Sequence, residues 1–150
     1  MEITTSVNIG GVLNALKMAR TTPVQQARAL KKAALGHVRD IKTRTADGEG
    51  LRGPFKGYSE SYSEMLVERR FGKNKPKGGK DPLKVNLFYS GRMLANLGVV
   101  KVTPNFALVS FRSVIERKKA KANQRTRPFM GITRDEQKII VKRFKRALFK

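Results

Sequence analysis

The sequence predicts an α+β domain in which a long N-terminal helix and a C-terminal helix pack on a small antiparallel β-sheet, with extended basic loops between the elements. Three features carry that expectation. Two capping-box patterns, Thr22 to Gln25 and Thr133 to Glu136, each precede apolar residues at three- and four-residue spacing, and two β-rich runs flank Thr103-Pro104-Asn105. The first two are helix start signals and the third is the turn of a hairpin. A chain of 150 residues reads as one domain, able to bury roughly 70% of the surface its unfolded form exposes.

In chain order, a weaker helical pattern runs from Ile9 to Met18, with Val12, Leu13 and Leu16 on one face. Thr22 then caps a stronger helix over residues 23–44, with Pro23 at its first position. Its apolar stripe is Ala27, Leu30, Ala34, Val38 and Ile41, and Arg28, Lys31, Lys32, Arg39 and Lys42 point elsewhere. The glycine-rich stretch over residues 45–58 reads as an extended loop. Residues 61–71 form a short helix on the Ser61–Glu64 capping spacing, and residues 72–82, which hold Gly, Pro and Lys without an apolar side chain, form a flexible basic loop.

Alternation over Leu83 to Tyr89 predicts a strand, and Ser90 caps a short helix after it. The hairpin covers residues 99–111, and the polar run VIERKKAKANQ is helical near its start before a loop over residues 116–128. The last helix begins at about residue 134, with Asp135 and Glu136 in the first turn, Ile140, Phe144, Ala147 and Leu148 inward, and Lys138, Lys142, Arg143, Lys145 and Arg146 outward.

Charge is the informative part of the composition. Lys and Arg number 33 against 11 Asp and Glu, a formal net charge of +22. Residues 69–84 carry +6 and residues 112–150 carry +11, which leaves the other 95 residues almost ordinary. Self-repulsion on this scale destabilises a lone subunit, so a polyanion or an acidic protein surface is expected as partner. The chain has no cysteine, which excludes disulfides, thiolate metal sites and Cys nucleophiles and fits a reducing compartment. No apolar run approaches the ~18 residues of a membrane span, and the start Met1-Glu2-Ile3-Thr4-Thr5 lacks the basic region of a secretory signal.

Catalysis finds little support. His37, the sole histidine, sits beside stripe member Val38 and reads as a helix-surface residue. Glu60, Glu64 and Glu68 make an acidic ridge at i, i+4, i+8, read as a solvated or intersubunit salt-bridging face beside Arg69 and Arg70. Neither GLRGPFKG nor GKNKPKGGK contains the phosphate-cradling GxxxxGK[ST] pattern. No enzymatic activity, cofactor or metal is expected. The candidate polyanion contacts are Lys73, Lys75, Lys77 and Lys80, together with Arg117, Lys118, Lys119, Lys121, Arg125 and Arg127. Such groups bind phosphates by counterion release without base-specific geometry.

Three segments, FYSGRMLANL (88–97), VVKVTPNFALVSF (99–111) and RTRPFMGITRDEQKIIVKRF (125–144), preceded by a long helix, resemble the phage virion-morphogenesis or tail-completion family of head–tail joining proteins. The resemblance covers about two-thirds of the chain. It carries over Ser90, Gly91, Met93 and Leu94 for the S-G-x-L/M-L segment, and Arg127, Phe129, Gly131, Ile132 and Thr133 for the knuckle that opens the last helix. Where the family often has an apolar or aromatic stretch between hairpin and knuckle, this chain has ERKKAKANQ.

The resemblance implies a non-enzymatic subunit of a closed ring, a hexamer or a dodecamer, in the virion neck, after assembly in the host cytoplasm. Other neck and tail proteins and the genomic DNA are then its partners, with no membrane. Pro128 is expected to stiffen the arm while Phe129, Met130 and Ile132 dock it onto the sheet, so that Phe129→Ala impairs assembly and spares the fold. A stand-alone basic nucleic-acid-binding protein is the alternative reading.

Overall fold

Both capping boxes close as the sequence predicts. The computed structural model describes residues 5–8, 21–71, 87 and 91–149. The elements are β1 (Thr5–Asn8), α1 (Pro23–Ala46), β2 (Glu49–Gly50), β3 (Gly53–Pro54), α2 (Glu60–Phe71), α3 (Arg92–Ala95), β4 (Leu97–Val102), β5 (Phe106–Phe111), α4 (Val114–Thr126) and α5 (Arg134–Leu148). The fold is α+β, with a long N-terminal and a C-terminal helix beside a small antiparallel sheet. The patterns over Ile9–Met18 and residues 72–82 lie outside the described residues, as does all but Leu87 of the expected strand over 83–89.

Helix α1 starts where the Thr22 hydroxyl accepts the Gln25 N–H at 3.2 Å and the Gln25 side chain accepts the Thr22 N–H at 2.8 Å. It buries Ala29, Leu30, Ala33, Ala34, Gly36, His37, Val38, Ile41 and Thr45. At 100° per residue these cover about half the helix circumference, wider than the single stripe in the sequence. The cause is position: α1 packs against α5 on one flank and against β4 and β5 on another. Alanine and glycine let both neighbours approach closely.

The sheet has the order β1-β5-β4, antiparallel throughout. Ala107, Val109 and Phe111 of the central strand are fully buried. The expected hairpin forms, and the Thr103 hydroxyl closes its turn by accepting the N–H groups of Asn105 (3.3 Å) and Phe106 (3.1 Å). A bulge between Val99 and Lys101 leaves Val100 on the surface. Strand β1 was not predicted, because four residues, TSVN, are too short for a visible alternation.

Several expectations need correction. The stretch 45–58 is not a free loop: α1 runs through Ala46, and β2 and β3 make a two-stranded ribbon that buries Gly50 and Phe55. Its Leu51 N–H donates to the Pro128 carbonyl at 2.8 Å. Nor is 116–128 a loop, since α4 continues to Thr126. Its inner stripe is Ser113, Glu116, Ala120 and Gln124, helically spaced but small or polar, so hydrophobic periodicity does not reveal it. Helix α2 begins at Glu60, which puts Ser61 inside the first turn rather than at the cap. Helix α3 is preceded by Gly91 in a left-handed conformation (φ 69°) with no side-chain cap, and Ser90 lies outside the described residues.

The core gathers Leu30, Ile41, Val109, Phe111, Phe129, Ile140 and Phe144. The Phe111 and Phe129 rings meet edge to face, centroids 6.3 Å apart. Phe129 is therefore a core residue of the subunit, which overturns the expectation that its truncation spares the fold.

Candidate polyanion-binding surface

The knuckle is built from three directions. Gln124, on the last turn of α4, accepts the Phe129 N–H at 3.0 Å and the Met130 N–H at 2.9 Å, and donates to the Met130 carbonyl at 2.9 Å. Arg44, at the end of α1, donates to the Phe129 carbonyl at 2.7 Å and pairs with Glu136. Leu51 ties down Pro128, and Gly131 (φ 154°) sits where an added Cβ would lie 2.5 Å from Leu51 Cδ1. Phe129, Met130, Met93 and Leu94 are buried, and Pro128, Gly131, Ile132 and Gly91 are half-buried. The buried motif residues thus shape the interior of the fold.

The expected basic group separates by partner. Lys73, Lys75, Lys77 and Lys80 lie outside the described residues. Arg127 donates to the carbonyls of Lys56 and Gly57, both at 3.1 Å, and lies over the Tyr58 ring at 4.8 Å. Arg117 is half-buried and donates to the Phe111 carbonyl at 3.3 Å. Lys119 pairs with Glu116 at 2.9 Å. These three brace the fold. Lys118, Lys121 and Arg125 are exposed at i, i+3, i+7 and share one face of α4.

The larger cationic surface lies elsewhere. Arg44–Glu136 and Asp40–Arg143 pair α1 with α5 and fix an antiparallel register. In that register Arg39 comes level with Lys142, and Arg146 level with Leu35 and Gly36. Arg28, Lys31, Lys32 and Arg39 of α1 are exposed, as are Lys138, Lys142, Lys145 and Arg146 of α5. Arg143, read from the sequence as outward, instead turns in to Asp40 at 3.0 Å across Gly36. The carboxylates of Asp40 and Glu136 are consumed between the helices, and of the exposed cations named here Lys138 pairs with Asp135 at 3.2 Å. Sequence reasoning set the α1 cations aside because residues 23–46 lie in the stretch taken as ordinary. The signal was there: six Lys and Arg against one Asp in that helix.

His37 corrects a further expectation. It is fully buried rather than on the helix surface, and neither ring nitrogen has a hydrogen-bond partner among the described residues. Burial holds its pKa below the ordinary 6.5, opposed by Glu136 and Asp40 and reinforced by Arg44 and Arg143. Glu60 and Glu64 are exposed, and among the described residues no three His, Asp or Glu side chains form a metal-holding group.

No protein-family model, curated protein or solved structure matches this chain.

Proposed function

We propose that this chain is a non-enzymatic structural subunit of a phage neck, assembling as a closed ring that completes the tail or joins it to the head around the DNA channel. The observation that carries this reading is where the acids go. Asp40, Glu116 and Glu136 are each taken up by a cation of the same subunit, so the surplus charge on α1, α4 and α5 faces outward. Such a surface is stable beside a packed genome or an acidic neighbour.

Two further features support a ring. Val100, Val114 and Ile115 are large apolar side chains on the surface, 44%, 62% and 66% exposed, of the kind that contacts between subunits bury. The order of short helix, hairpin, knuckle and capped helix is also the order of the segments that resemble the tail-completion family. A hexamer or a dodecamer would close such a ring, with neck and tail proteins above and below it.

Light scattering and negative-stain microscopy of the purified protein test the reading. It expects ring-shaped oligomers. A monomer that binds random duplex DNA tightly, with steep salt dependence, supports instead a stand-alone nucleic-acid-binding protein.

A further inference from the structure

We infer that the outer seam between α1 and α5, and not the α4 face, is the surface that meets duplex DNA. The inference rests on the ring reading for its place in the particle, where the seam would line the channel, but the contact itself is testable on the isolated protein.

At 100° per residue, the residues of α1 that turn toward α5 on the solvent side are Lys32 and Arg39. The residues of α5 that answer them are Lys142 and Arg146. All four are exposed and none has an ion-pair partner among the described residues. Between the two rows Gly36 has no side chain and the space over it is taken by Arg143, which lies across toward Asp40, 2.9 Å from where a Cβ would stand. The result is a shallow trough with cations on both banks, its inner acid Asp40 paired with Arg143 and the exposed Asp135 of the α5 bank paired with Lys138.

The dimensions suit a duplex. The trough runs as far as α5 pairs with α1, and α5 has 15 residues, about 22 Å at 1.5 Å per residue, or about two-thirds of the ~34 Å of one duplex turn. Duplex DNA presents a phosphate charge every ~1.7 Å of its axis, so cations along the whole trough find partners at any register. An acidic protein would need a matching row of carboxylates and an apolar anchor, and the trough offers only Leu35 and Ile139, 44% and 43% exposed. By comparison, α4 presents Lys118, Lys121 and Arg125 along a single row.

The experiment measures binding of random-sequence duplex DNA across a salt series, for the full-length protein and two double variants. Each phosphate contact contributes about 0.9 to the log–log slope. Arg39→Gln with Lys142→Gln is expected to lower the slope magnitude by about two, while Lys118→Gln with Lys121→Gln leaves it unchanged. All four side chains are exposed, so circular dichroism should be unaltered in both. An unchanged slope in the seam variant overturns the inference and gives that face to an acidic protein. Equal loss in both variants, or no duplex binding by the wild type, also overturns it. Ring formation, measured separately, tells this failure from that of the neck reading: rings without DNA binding defeat the inference alone, and monomers that bind through the seam defeat the ring alone.

Discussion

The side-chain amide of Gln124 holds the backbone of Phe129, accepting its N–H at 3.0 Å and bracketing Met130 with two further hydrogen bonds, both 2.9 Å. The end of α4 thereby sets the position of the core ring that α5 follows. Gln124→Ala strands two backbone N–H groups and one carbonyl, at a cost of about 2–3 kcal/mol. Urea unfolding should show a lower midpoint with an unchanged slope. Gln124→Glu keeps an acceptor for both N–H groups but sets a carboxylate oxygen against the Met130 carbonyl, so it should recover only part of the loss.

Phe129 is fully buried against Phe111. Phe129→Ala should lower stability by about 3–5 kcal/mol, with loss of cooperative thermal unfolding at moderate temperature. A variant with wild-type stability that fails only in assembly would contradict this placement.

Gly131 and Gly57 form a matched pair for testing backbone constraint. At Gly131 a Cβ meets Leu51 at 2.5 Å in a backbone conformation that L-residues avoid, whereas at Gly57 nothing lies within 4 Å. Gly131→Ala should cost about 1–3 kcal/mol and Gly57→Ala should leave the melting temperature near that of the wild type.

His37 gives the protein a predictable pH response. Its folded pKa lies below its unfolded value of 6.5, so between the two the unfolded chain binds more protons and stability rises with pH. The contribution is fully present above about pH 6.5 and is lost as pH falls toward the folded pKa. The charged groups around the imidazole are Arg44 and Asp40 of α1 and Glu136 and Arg143 of α5. In His37→Leu the fall in melting temperature between neutral and mildly acidic pH should be smaller than in the wild type. A wild-type profile flat through this range would contradict the burial of an unpartnered imidazole.

What the sequence discloses is local. Thr22 with Gln25, Thr133 with Glu136, and Thr103 at its turn form their contacts within four residues, so their patterns survive in the linear chain. The missed features depend on distant partners. His37 is buried because α5 lies across it, Phe129 is core because α1, α4 and the ribbon converge on the knuckle, and α4 hides its inner stripe in Glu116, Ala120 and Gln124. The seam likewise needs two helices with residues 47–133 between them. The sign and scale of the charge were legible from composition, while its grouping required the antiparallel pairing of α1 and α5.

The central proposal, that this chain is a neck subunit whose outward cations are neutralised within a multi-subunit particle, is tested most directly by quantifying the protein in purified phage particles and locating its density by electron cryomicroscopy. The account predicts a fixed copy number matching one hexameric or dodecameric ring, at the head–tail junction around the DNA. Absence of the protein from mature particles would contradict it.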